Sequence, residues 1–182
     1  RFVKSYTGFS TLSDVFQAYA SILNRTFLTA RVSSLNSAAL SMDDALQRVH
    51  EMLVKITRGP NKLMFIGNGG SAGIAGHSAI DFAKNGGVRA VTFNDASSLT
   101  CLGNDLGYDQ VFAKQVEMQA LSGDILVAIS SSGQSPNILN AVAVARAKSC
   151  AVFTLSGFKA DNALRKLGDI NFYVEAEGYG FV

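Results

Sequence analysis

Residues 125–136 read Ile-Leu-Val-Ala-Ile-Ser-Ser-Ser-Gly-Gln-Ser-Pro. Five apolar residues run without alternation, as a strand does when both faces of its sheet are covered. Pro136 suits the first position of a helix and Ser135 suits its N-cap. The stretch therefore predicts strand, loop and helix in immediate succession. The same punctuation recurs on either side, with strands expected at 62–66, 89–93, 125–129, 150–155 and 170–174. Helices are expected at 71–84, 96–103, 109–120, 136–148 and 161–167. Alternating strands and helices imply parallel pairing through right-handed crossovers. The expectation is a three-layer α/β/α domain over residues 61–182, built on a five-stranded, parallel, doubly wound sheet of flavodoxin-like type.

The first 60 residues follow another rule. Leu12, Val15, Phe16, Tyr19, Ile22, Leu23 and Phe27 form one helical stripe, and Met42, Ala45, Leu46, Val49, Leu53 and Ile56 form a second. Gly59-Pro60 ends the second helix. No strand is expected among them. The reading is an N-terminal helical extension that packs on the main domain and on a partner subunit.

Composition narrows the function classes. Charged residues are only 16% of 182, and 48% are hydrophobic. So little charge covers a monomer's surface poorly, which predicts an oligomer. The net charge of +2 is spread without a basic run, which argues against nucleic acid as a ligand. Apolar runs reach only five residues, so no membrane span is expected. No secretory signal opens the chain, and Cys101 and Cys150 lack metal-ligand spacing. Both read as reduced packing residues of a cytoplasmic protein.

Ligands of an open parallel sheet bind beyond the carboxyl ends of its strands. Three loops fall there. Gly67-Asn68-Gly69-Gly70-Ser71-Ala72-Gly73 can turn backbone N–H groups toward an anion, or can simply make a tight turn. It also fits the dinucleotide pattern G-x-G-x-x-A, a weak signal on its own. Ser130-Ser131-Ser132-Gly133-Gln134-Ser135 carries four hydroxyls where a cap needs one, as a neutral phosphate cradle would. It holds no Lys and the chain has no G-x-x-x-x-G-K pattern, so no Mg-nucleotide site is expected. In the third loop, Asn94 and Asp95 could hold sugar hydroxyls, or Asp95 could cap the helix after it. His77 and Asp81 share one face of the helix after the first loop. They could transfer protons or bind a metal, or form a plain surface pair.

The chain resembles the sugar isomerase (SIS) family, and within it the sedoheptulose 7-phosphate (phosphoheptose) isomerases. The resemblance rests on Gly67-Asn68-Gly69-Gly70-Ser71-Ala72, on Leu102-Gly103-Asn104-Asp105-Leu106-Gly107-Tyr108, on Val111-Phe112-Ala113-Lys114-Gln115, and on Ile129-Ser130-Ser131-Ser132-Gly133-Gln134-Ser135-Pro136. It implies a homotetramer that interconverts a ketoheptose and an aldoheptose phosphate for bacterial surface glycans, with sites between subunits that often hold zinc. Position by position, it implies that Asn68, Gly69, Gly70 and Ser71 line the sugar pocket. Asn94 and Asp95 would hold hydroxyls, and Ser130, Ser131, Ser132 and Ser135 would hold the phosphate. His77 would be a metal ligand and substrate contact. The family's catalytic glutamate falls on Asp81, here one methylene shorter, as base and second metal position. The family also continues into a helix bearing a Gln and a His, expected beyond Val182.

Two rival readings differ in class. Some SIS proteins are binding proteins without catalysis, including partners of the bacterial replication initiator, and the shorter Asp81 suits that reading. A nucleotide-dependent dehydrogenase ranks last. Its acidic residue should stand about 20 positions after the first glycine, whereas Asp95 stands 28 after Gly67, and the serine loop would have no task.

Overall fold

A computed structural model describes residues 10–35, 38–176 and 178–182. Its elements run α1 (Leu12–Leu28), β1 (Arg31–Ser34), β2 (Ala39–Leu40), α2 (Met42–Thr57), β3 (Leu63–Gly67) and α3 (Gly70–Lys84). There follow β4 (Ala90–Thr92), α4 (Ala96–Leu106), α5 (Val111–Gln119), β5 (Ile125–Ser130), α6 (Pro136–Ala147), β6 (Ala151–Ser156) and β7 (Ile170–Tyr173).

The sheet corrects the expectation. It has seven strands among the described residues, in the order β2-β1-β7-β6-β5-β3-β4, and it is mixed rather than five-stranded and parallel. Strands β3 to β7 run parallel, while β1 lies antiparallel to both β7 and β2. The two added strands come from the first 60 residues, where helices alone were expected. The pairs are short: Val32 faces Phe172 and Leu40 faces Val32. Four residues and two residues are too few to show a period against the long helical stripes around them. The outermost strands, β2 and β4, have two and three residues.

Helices lie on both faces of the sheet. On one, Val111, Phe112 and Val116 of α5 and Ile138, Ala141, Val142 and Ala145 of α6 pack on Met64, Ile66, Leu126, Ala128 and Val152. On the other, Ala45 and Ile56 of α2 and Ala75 and Ala79 of α3 meet Leu63, Phe65, Ile125, Val127 and Ile129. Strand β5 is buried along its whole length, with alternate residues serving the two cores. Thr11 caps α1 through a capping box with Asp14, and Ser41 caps α2 through Asp44 N.

Two further expectations change. The helix expected at 161–167 is only a 3-10 turn at Leu164–Lys166. Asn162 is fully buried there and turns the chain. Its amide donates to Lys159 O, and its Oδ1 accepts from Arg165 N. Cys150 is buried as expected, whereas Cys101 is exposed. No helix of the described residues is long and apolar enough to cross a membrane.

Candidate functional site

Strand order reverses between β3 and β5: β4 lies outside β3, and β6 and β7 continue beyond β5. At such a switch point the two neighbouring loops part to opposite faces and leave a crevice at the carboxyl edge. Gly67 pairs with Ile129 across this seam, so the glycine loop and the serine loop leave the sheet side by side.

The glycine loop needs its glycines at two positions. A Cβ on Gly67 would stand 2.6 Å from the Ser71 carbonyl carbon and oxygen, so the strand passes too close to its own helix for any side chain. Gly69 has φ +55°, in the left-handed region, and caps α3 without a side-chain bond. In the first turn of α3, Ser71 N donates to Asn68 O, and Ala72 N and Gly73 N donate to Gly69 O, so backbone carbonyls rather than a cap side chain close the turn.

In the serine loop, Ser130 is buried and Ser131, Ser132 and Ser135 are half-buried. Ser135 occupies the N-cap of α6, yet its side chain makes no capping bond. Its Oγ instead lies 3.4 Å from Ser130 Oγ. Ser130 Oγ also accepts from Gly133 N at 3.2 Å, and Ser132 Oγ accepts from Gln134 N at 3.3 Å. These bonds gather the hydroxyls at the positive end of α6 rather than spending them on the helix. Leu164 N donates to Gly133 O, which ties the loop to the turn after β6.

The third loop divides its two candidates. Asp95 caps α4, accepting from Ser98 N at 2.8 Å and Ser98 Oγ at 3.0 Å. These bonds hold its carboxyl below the usual range. Asn94 Nδ2 donates to Ala72 O at 2.9 Å and pins the end of β4 to α3. Both residues thus carry structural bonds of their own.

His77 Nε2 lies 3.2 Å from Asp81 Oδ2 on the outer face of α3, with side chains 78% and 51% exposed. Asn85 Nδ2 donates to Asp81 Oδ1 at 3.3 Å. The contacts of the pair run within their own helix. His77 stands seven residues into α3, roughly 10 Å along its axis. The glycine and serine loops are therefore brought together, while the His77–Asp81 pair stands apart in the single chain. As a metal site it offers two donors. Among the described residues, no group of three or more His, Cys, Asp or Glu could hold an ion.

Sequence reasoning passed over Asn137 and gave Tyr108 no role of its own. Asn68 Nδ2 donates to Asn137 Oδ1 at 3.0 Å, and Asn137 Nδ2 donates back to Asn68 Oδ1 at 2.9 Å. The Tyr108 hydroxyl donates to the same Oδ1 at 3.2 Å. An Asn directly after a helix-starting proline is the one signal that could have drawn attention to it.

With this geometry in view, the comparisons are consistent with one another. The SIS domain model matches residues 26–157. The phosphoheptose isomerase of Aliarcobacter butzleri is 38% identical over 140 residues, covering 74% of each chain. That of Pelobacter propionicus is 36% identical over 155 residues, covering 82% of each. Among solved structures, a phosphoheptose isomerase from Neisseria gonorrhoeae superposes with a TM-score of 0.76 at 26% identity. The alignment covers 93% of this chain and 87% of that one.

Proposed function

Because the chain belongs to the SIS domain family, we propose that it is an aldose–ketose isomerase of the phosphoheptose type, with sedoheptulose 7-phosphate as substrate and a D-glycero-D-manno-heptose 7-phosphate as product. Relatives of that activity align over 74% and 82% of this chain. The observation that carries the reading is the seam between β3 and β5, where a cradle of hydroxyls and a glycine loop open into one crevice.

The reaction moves one proton between neighbouring carbons through an enediolate, and one hydroxyl proton between the two oxygens on those carbons. The phosphate lies among Ser130, Ser131, Ser132 and Ser135 at the start of α6, where hydroxyls and the helix dipole offset its charge without a cation. Binding at that remote end holds the sugar so that its reacting carbons are fixed. Asn68, Gly69, Gly70 and Ser71 line the sugar, with Asn94 and Asp95 at the far wall. Asp81, which stands apart from the crevice of its own chain, would act on sugar held by a neighbouring subunit, taking the proton beside the carbonyl, exchanging it with solvent and delivering a proton to the adjacent carbon. His77 orients that carboxylate through the 3.2 Å contact.

Zinc fits the pair only in part. His77 and Asp81 are suitable donors, and a tetrahedral ion needs two more. When bound, the ion would polarise the sugar carbonyl.

The same exposure supports a homo-oligomer, a tetramer on the family pattern. On α1, Leu12 is 88% exposed and Phe16 72%, and Phe27 and Leu28 are exposed as well. A neighbouring subunit would cover this helix. The reaction belongs in the cytoplasm, where phosphorylated sugars are made and used.

The test is turnover of sedoheptulose 7-phosphate in deuterated water. Isomerisation with solvent deuterium entering the product beside the carbonyl is expected. Absence of both product and exchange would overturn the isomerase reading.

A further inference from the structure

Asn137 is 2% exposed and lies one residue inside α6, where a buried polar side chain is costly unless it is fully bonded. It does not cap its own helix, since Ser135 holds that position. Its amide crosses instead from the serine-loop helix to the glycine loop, and there both its oxygen and its nitrogen are used by Asn68. We infer that Asn137 is a positioning residue, whose reciprocal amide pair with Asn68, joined by Tyr108, sets the distance between the sugar end and the phosphate end of the crevice. The ligand's identity rests on the isomerase reading above.

Three observations bear on this. The glycine loop makes its own backbone turn, from Ser71 N to Asn68 O and from Ala72 N and Gly73 N to Gly69 O. Asn94 holds Ala72 O on the β4 side, and toward α6 the loop's side-chain tie is to Asn137. Next, the tie joins the two loops whose spacing a phosphorylated sugar must match, across the seam where Gly67 pairs with Ile129. Finally, the bonds decide what Asn68 can offer. Its Oδ1 accepts from both Asn137 and Tyr108, and one N–H goes to Asn137. What remains is one N–H donor. Asn68 therefore presents a donor to the ligand, matching a sugar hydroxyl or carbonyl oxygen. Asn137 touches Asn68 and acts through it.

The test uses the full chain and two ligands, sedoheptulose 7-phosphate and inorganic phosphate, each titrated by calorimetry, with kcat and KM measured in parallel. Asn137→Asp keeps the shape and sets an oxygen against Asn68 Oδ1. The affinity for the sugar phosphate should fall about tenfold or more, and kcat about a hundredfold. Affinity for inorganic phosphate should stay within about twofold. In an Asn68→Ala background the same substitution should cost less than about twofold further, because the pair is already broken. Equal losses for both ligands, full additivity, or no loss would each overturn the inference. Should Asn137→Asp fail to fold, Tyr108→Phe removes one bond at the exposed end of the same network. It should weaken the sugar phosphate about threefold and leave inorganic phosphate alone; no selective loss there overturns the inference too. A wild type that binds the sugar phosphate without turnover sinks the isomerase reading alone, and the affinity comparison then decides the role of Asn137. A wild type that binds inorganic phosphate but no sugar phosphate overturns both.

Discussion

Lys62 Nζ lies 2.6 Å from Asp124 Oδ2 at the amino edge of the sheet, the end opposite the serine loop, and the Asp124 side chain is fully buried. Each residue stands one position before a central strand, β3 or β5. Asp124 also accepts from Leu121 N, Lys62 N and Asn61 Nδ2. The foundation of the two strands that frame the crevice is thus one carboxylate with its oxygens filled.

Stability should follow the charge on Asp124. Burial pushes its pKa up, but the hydrogen bonds from Leu121, Lys62 and Asn61 outweigh burial and hold it below the ordinary carboxylate value. A depressed folded pKa contributes stability that is fully present above the unfolded value, about 3.9, and is lost as pH falls through the folded one. Thermal unfolding should therefore show a pH-independent contribution near neutrality that declines in acid below about pH 4. Asp124→Asn should lose about 3–5 kcal/mol at pH 7, since it leaves the Lys62 ammonium without its counter-charge and bonded to Gln119 O alone. Scanning calorimetry of both proteins from pH 3 to 8 checks this; equal stability at pH 7 would show that the ion pair is dispensable.

Removing hydroxyls from the serine loop should weaken phosphate binding stepwise. Ser135→Ala deletes a group that does not cap its helix. Thermal stability should hold while sugar-phosphate affinity drops about tenfold, the worth of one hydrogen bond to a charged group. Calorimetric titration alongside a melting curve separates the two. A large loss of stability with unchanged affinity would mean that Ser135 is a cap after all.

Asp81 should govern turnover and leave phosphate binding intact. Asp81→Asn keeps the shape and removes the base, so kcat should fall by about 100-fold to 10,000-fold. Asp81→Glu should keep or raise activity, because it restores the reach of the family's usual glutamate. Initial rates on sedoheptulose 7-phosphate measure both variants. Unchanged rates in Asp81→Asn would remove this residue from the chemistry.

Assembly should depend on α1. Phe16 is 72% exposed on a helix whose only buried residue is Thr26. Phe16→Asp should shift the protein to a smaller species in light scattering at micromolar concentration. The fold of the single chain should survive, because Phe16 lies outside both apolar cores. A wild type that is already monomeric would defeat the prediction.

The strands nearest the crevice were legible because burial on both faces leaves unbroken apolar runs such as 125–129. The position of the serine loop was legible because Ser135 and Pro136 mark a helix start directly after an apolar run. β1 and β2 were not, since strands of four and two residues carry no period and lie between long helical stripes. The turn at Leu164–Lys166 was missed because Asn162 acts through a side chain wholly buried in the folded state. Asn137 was hidden for a related reason: its partner, Asn68, lies 69 positions away, and only the pairing of β3 with β5 brings them together.

The sheet's outermost strands are its shortest, two residues at β2 and three at β4. A sheet grows by offering unpaired backbone groups to another chain, and edges this brief offer too few to hold one. A protein whose helices carry exposed apolar side chains can then gather copies of itself through those helices without strands recruiting more. Where copies meet through those helices, the sheet edges add nothing from which a fibre could grow.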